Sequence, residues 1–272
     1  MTVRVKLAAA LGVAVLAPGA FAESGHGPGH ETASVQHAAA PVAVHGPHWS
    51  YGGSTGGPEH WGDLSPAFSA CKSGHMQSPI DLGVAAEIGT FKVRADYRPG
   101  ALTILNNGHT VQANIPEGSV LSSGIARYKL LQVHFHTPSE ATVYGIPYPM
   151  VAHFVHVDYA GNYAVLGVLF EEGAVNPELE KLIKAAPRTE TGAHEVPHVT
   201  FDPARLLPDN LAVFRYEGSL TTPPCTEGVR WHVATHHATA SAGQIAALHA
   251  IMGDNARPIQ PLYGRLLVKG AD

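Results

Sequence analysis

One pattern recurs from Ala101 to His237 and limits what this chain can fold into. Short runs rich in Val, Ile, Tyr and Phe alternate apolar with polar residues, and each closes on a turn signal. ALTILNNGH, TVQANIPEG, YKLLQVHFH, YPMVAHFVHVD, YAVLGVLFEE, LAVFRYEG and VRWHVATHH are the clearest examples. A period of two is the signature of β-strands, and short turns between strands favour antiparallel neighbours. The domain therefore reads as mainly β (α+β). Two helices interrupt the pattern. One begins at Asn176-Pro177, a capping residue followed by proline at the first helical position, and buries Leu179, Leu182 and Ile183. The other begins near Ser241 and carries Ile245, Leu248 and Ile251 on one face.

At 272 residues, 45% hydrophobic and 14% charged, the chain can bury one sizeable core. A formal charge of -5 without a basic run argues against a nucleic-acid partner. The first 22 residues read as a signal peptide: Arg4 and Lys6, an apolar run from Leu7 to Ala17, then Ala20-Phe21-Ala22 before Glu23. The alternative, a membrane anchor, is disfavoured because that run is about half of the roughly 20 residues a spanning helix needs. No stable membrane span is expected after cleavage. Residues 23–47, rich in Gly, Ala, Pro and His, read as a disordered linker before a domain at 48–272. Its His26, His30, His37 and His45 either scavenge metal or are incidental to a tether. Cys71 and Cys225 are the two cysteines. In an exported chain one disulfide is the simplest reading, and two free thiols are the alternative.

QVHFHTPSE, Gln132 to Glu140, carries the chemistry. In a strand Gln132, His134 and His136 share one face, while Val133 and Phe135 share the other. Two side-by-side imidazoles can chelate a metal. A third can come from YPMVAHFVHVD, where His153 and His156 have opposite parity. If the ligand face also carries Val151 and Val155, His153 is the ligand and His156 a core histidine. Three neutral imidazoles plus an open position suit catalytic zinc, although copper, cobalt or iron also accept imidazole. A competing reading makes Glu140 a ligand too, as in the cupin barrels. That motif wants glycine six residues before the first histidine, where Tyr128 stands.

The segments HWSYGGSTGGPEHW, QSPIDL, LNNGH, HFHTPSE, GSLTTPPC and RPIQPL follow one another at spacings that resemble the α-class carbonic anhydrases of the exported bacterial type, from about His48 to Val268. The resemblance implies a large, central, mostly antiparallel twisted sheet with a few surface helices. It implies Zn2+ on His134, His136 and His153, with Glu140 outside the ligand set. It implies that carbon dioxide and water become bicarbonate and a proton through zinc-bound hydroxide, with ester hydrolysis as a side activity. Thr221 matches the hydroxyl residue that donates to Glu140 and orients the nucleophile, and His109 matches the proton shuttle. Val155, Val165, Leu220 and Trp231 match the apolar wall for substrate, which Thr221 and Thr222 also contact. Tyr51, Asn107 and Gln112, with Thr222, match the residues that organise water. Cys71 and Cys225 match the disulfide of the bacterial members. A periplasmic or secreted location and a homodimer are compatible with the resemblance.

Two features depart from it. His109 and Gln112 have opposite parity yet are both assigned to the cavity, which requires a bulge or a strand that begins after His109. Taken without the resemblance, His109 is a turn histidine after Asn106-Asn107-Gly108. Val151 and Ala141 replace a glutamate and a histidine of most members, which together support the third ligand. Paired loss spares the fold, since stranding one buried polar group costs about 1 to 3 kcal/mol while replacing both can be nearly neutral. The expected consequence is a less tightly held metal, with His153 donating to water or a backbone carbonyl. This departure keeps open a rival reading, a non-catalytic or weakened zinc-binding module on the same fold.

Overall fold

The computed structural model describes residues 47–87, 89 and 92–270. The expected signal peptide and all of the expected linker except Pro47 lie outside the described residues.

Alternation produces the sheet that it predicts. Among the described residues thirteen strands form one sheet. Its main path runs Ala86–Glu87, Val268–Lys269, Val213–Ser219, Glu227–Ala234, Tyr163–Glu172, Met150–Val157, Ala126–His136, Val111–Asn114, Gly100–Asn106, Thr191–Phe201. Most neighbours are antiparallel, as expected. Three pairings are parallel: Tyr163–Glu172 with Glu227–Ala234 and with Ala238–Ala240, and Ala86–Glu87 with Val268–Lys269. Parallel neighbours cannot be joined by a hairpin. The crossover between Tyr163–Glu172 and Glu227–Ala234 takes up residues 173–226, which hold a helix, the edge strand Thr191–Phe201 and the strand Val213–Ser219.

Each face of the sheet buries its own apolar set. Val133, Phe135, Ala152, Phe154 and Leu166 pack on one side with Leu179, Leu182 and Leu248 from the two long helices. Val151, Val155, Val165, Trp231 and Val233 pack on the other. The helices are Pro177–Ala185 and Ala242–Met252, both at the positions their caps predict. Asn176 Oδ1 accepts from the Glu178 and Leu179 amides, and Ser241 with Gln244 forms a reciprocal capping box. Among the described residues no helix is long and apolar enough to cross a membrane.

A third cluster fixes the segment that precedes the sheet. Trp61 and the disulfide-bonded pair Cys71–Cys225 form its buried part, with Trp49 and Tyr51 against it. This packing places Trp49 against His109 and Tyr51 beside His136, although both histidines come much later in the sequence.

Candidate metal centre

Strand register assembles the site. Ala126–His136 and Met150–Val157 are antiparallel neighbours in which His134 pairs directly with His153 and His136 with Val151. Directly paired residues point to the same face, so His134, His136 and His153 project together on the side opposite Val133 and Phe135. One ligand atom from each lies within 4.8 Å of the others. The ring centroids are 5.1, 5.3 and 4.7 Å apart.

The remaining nitrogens show which atoms are free to coordinate. His134 Nδ1 lies 2.8 Å from Gln132 Oε1, and His136 Nδ1 lies 2.7 Å from the Asn255 carbonyl oxygen. A carbonyl only accepts, so His136 Nδ1 carries the proton and its Nε2 holds a lone pair. That Nε2 is buried and has no hydrogen-bond partner. An orphaned lone pair beside two more imidazoles is the environment of a metal ligand. Burial, reinforced by His136, pushes the pKa values of His134 and His153 well below the usual histidine range and keeps both rings neutral. Among the described residues no fourth side chain joins the cluster, so three histidine nitrogens with an open position fit a catalytic zinc ion.

His153 is held differently from its two partners. Glu140 Oε2 is 3.8 Å from its Nδ1, beyond hydrogen-bond range. The Trp231 ring stands edge-on 5.0 Å away, and Val151 and Ala141 are both in the apolar cluster on this face. His156, on the far face, is the core histidine its parity predicts. Its Nε2 is 2.7 Å from the Tyr97 hydroxyl and its Nδ1 3.3 Å from the Ala164 carbonyl oxygen.

Glu140 is buried below the triad. Its Oε1 accepts from the Arg257 amide at 3.0 Å, and the Thr221 hydroxyl is a hydrogen-bonding neighbour that favours the ionised form. Its Oε2 has no partner of full hydrogen-bond geometry. Burial raises the pKa above the usual carboxylate range, while His136, Thr221 and Arg257 oppose the rise. A cation held by the histidines would add to that opposition. Arg257 itself is buried, its pKa lowered to about 10 by burial, and donates to Gln77 Oε1, the Ser78 carbonyl and the Cys71 carbonyl.

A cavity of about 140 Å³ opens beside the triad and is lined by Tyr51, Asn107, His109, Gln112 and Thr222 together with His134 and His136. The structure thus gathers the residues expected to organise water. Val155, Val165 and Trp231 stand side by side on three adjacent strands, with Leu220 against them. This wall borders His153 through Trp231, and its residues are not among those lining the 140 Å³ cavity.

The parity conflict at His109 is resolved by a turn. The strand Gly100–Asn106 ends before it and the next strand starts at Val111. Asn107 Oδ1 accepts from the His109 and Thr110 amides at 3.0 and 2.9 Å, and Gly108 takes the φ of +83° that the bend requires. The His109 ring stacks on Trp49, centroids 3.7 Å apart. Burial and then His48 lower its pKa, and Glu190 acts the other way.

Sequence reasoning assigned no role to Gln132, Asn255, Arg257 or Trp49. Gln132 shares the ligand face by alternation, and Arg257 opens the RPIQPL segment, so both carried a signal. Asn255 carried none, because nothing local links it to a histidine 119 residues earlier.

Comparison with known proteins agrees with this geometry. Residues 56–270 match the family described as eukaryotic-type carbonic anhydrase. The chain is 42% identical over 222 residues to a carbonic anhydrase of Pectobacterium atrosepticum, covering 81% of this chain and 90% of that one. It is 42% identical over 233 residues to a carbonic anhydrase of Klebsiella pneumoniae, covering 84% and 94%. The α-carbonic anhydrase from Thermovibrio ammonificans, solved in complex with the inhibitor sulfanilamide, superposes with a TM-score of 0.78 at 45% identity, covering 82% of this chain and all of that one. With its histidine triad, buried Glu140 and central sheet, the chain belongs to the eukaryotic-type, or α-class, carbonic anhydrase family.

Proposed function

We propose that this protein interconverts carbon dioxide and bicarbonate with a zinc ion held by His134, His136 and His153. The observation that carries the reading is the convergence of three imidazoles, one with a buried and unpartnered Nε2, beside the Thr221–Glu140 pair. Zinc supplies Lewis acidity that turns water into a nucleophile at neutral pH, an effect for which the carbonic anhydrases are themselves the reference example.

The chain's own groups do the rest. Ionised Glu140 can only accept, so the Thr221 hydroxyl donates to it and keeps its oxygen as an acceptor for the attacking water. That fixes where the water's remaining lone pair points. The wall of Val155, Val165, Leu220 and Trp231 offers an apolar substrate a place without polar competitors. Tyr51, Asn107, Gln112 and Thr222 line the polar side, where ordered water can reach His109. An imidazole titrates near enough to neutrality to take the released proton and hand it to buffer. The disulfide between Cys71 and Cys225 suits an oxidising compartment and supports export, with the periplasm as destination.

Stopped-flow hydration of carbon dioxide across pH 6 to 9, with zinc content measured on the same sample, tests the reading. A fast rate that rises through one ionisation near neutrality is expected. Absence of any rate above buffer at full zinc occupancy would replace the enzyme with the zinc-binding module. Thr221→Val is expected to lower kcat/KM on the order of 100-fold, the usual cost of one group that orients the reacting centre, and Thr221→Ser to restore most of it.

A further inference from the structure

Beside the turn that helps to line the cavity lies a carboxylate that the mechanism above does not use. The turn Asn107–Thr110, which holds His109, ends the strand Gly100–Asn106. The strand beside it, Thr191–Phe201, begins by pairing Thr191 with Asn106. Glu190 immediately precedes that first pair, so register alone brings its side chain over the turn. Glu190 Oε2 is 3.4 Å from the point where a side chain on Gly108 would begin. Gly108 carries no side chain at that point, and the next residue along the chain is His109.

We propose that Glu190 is a positioning residue for proton export, its carboxylate stabilising the imidazolium that His109 becomes when it takes up the reaction's proton. The inference rests on the reading of His109 as the shuttle. His109 gains from such a partner because burial and His48 disfavour the charged ring, while the Trp49 face it stacks on attracts a cation. It is half-buried and stacked on Trp49, with Tyr51 6.4 Å away edge-on. His48 of the same N-terminal segment lowers its pKa, and His134 and His136 across the cavity offer no negative charge. Glu190 is the group that acts in the opposite direction. The proton is transferred to a ring nitrogen and leaves from that nitrogen to buffer, so Glu190 neither gains nor loses one. Glu190 is exposed, so buffer base can reach the same turn.

The sign follows from charge. Without the carboxylate the His109 ring binds a proton less readily, so transfer to it slows while substrate conversion at the metal centre is untouched.

The test uses the zinc-loaded protein and its Glu190→Gln, Glu190→Lys, His109→Ala and His109→Ala/Glu190→Gln variants, all by stopped flow in dilute buffer. Glu190→Gln is expected to lower kcat about two- to threefold, the range of an exposed charge interaction, and Glu190→Lys to lower it further. In both, kcat/KM stays unchanged, and high salt or added imidazole closes the gap. Glu190→Gln adds nothing once His109 is Ala. An NMR titration of the His109 ring shows a lower pKa in Glu190→Gln. If His109→Ala slows kcat but Glu190→Gln does not, or if Glu190→Gln lowers kcat/KM equally, the role of Glu190 is overturned and the shuttle stands. If His109→Ala leaves kcat in dilute buffer unchanged, the shuttle itself falls, and the proposal with it.

Discussion

Each of the first two histidines has an outer acceptor that fixes its ring: Gln132 Oε1 for His134 and the Asn255 carbonyl for His136. His153 has Val151 two residues before it, 1% exposed, and Ala141 in the same apolar cluster, 6% exposed. Outer acceptors typically contribute about 10 to 100-fold in metal affinity or activity, because they hold the ring in place and make it more basic. Introducing Val151→Glu together with Ala141→His is therefore expected to slow zinc transfer to a chelator by about that factor. Unchanged transfer rates would show that His153 is already held by its packing. At this scale the sequence was readable where a rule of alternation applied. Parity put His134 and His136 on one face with Gln132, and tied His153 to Val151 and Val155. Parity says nothing of Asn255 or Arg257, whose bonds to the site span 119 and 117 residues.

The far face of the sheet holds two buried histidines whose cost depends on pH. His156 bonds Tyr97, and His232 Nε2 lies 2.9 Å from Ser123 Oγ while its Nδ1 has no partner. Burial lowers both pKa values to about 3. An unfolded histidine titrates near 6.5, so below that pH the unfolded chain binds protons that the folded sheet refuses. The stability is complete above about pH 6.5 and is lost as pH falls toward 3, by roughly 1.4 kcal/mol per pH unit for each ring. Replacing His232→Leu with Ser123→Ala should flatten the drop in urea-unfolding free energy between pH 6 and 4 by about that slope, and an unaltered slope would mean that His232 is not excluded from protonation. Among the elements, the two long helices were legible from their caps and the central strands from their period. The edge strand Thr191–Phe201 was not. It is mostly exposed, contains Pro197, passes through His198 at φ +64°, and shifts register against its neighbour. Only pairing with Gly100–Asn106 makes it a strand, and that pairing is what delivers Glu190 to the turn that carries His109.

At the scale of the whole molecule, Arg257 and the disulfide join parts of the chain that are far apart in sequence. The Arg257 side chain bonds Cys71 and Ser78 carbonyls while its amide holds Glu140, and Gln77 reaches the Cys225 carbonyl. Cys71 and Cys225 enclose a sequence separation of 154 residues. Closing so long a loop in the unfolded chain contributes up to about 5 kcal/mol, so Cys71→Ser with Cys225→Ser should lower the urea midpoint by a corresponding amount. A midpoint that does not move would show that the reduced chain stays as compact without the link. What the sequence determined by itself was local and periodic: which residues alternate, where helices begin, and that two histidines leave one strand together. The tertiary structure alone brought Asn255 and Arg257 to the site from its far side and set Glu190 beside the turn that carries His109. Those contacts depend on which distant segments pack together, and that is set by burying both faces of the sheet at once rather than by any local run of residues.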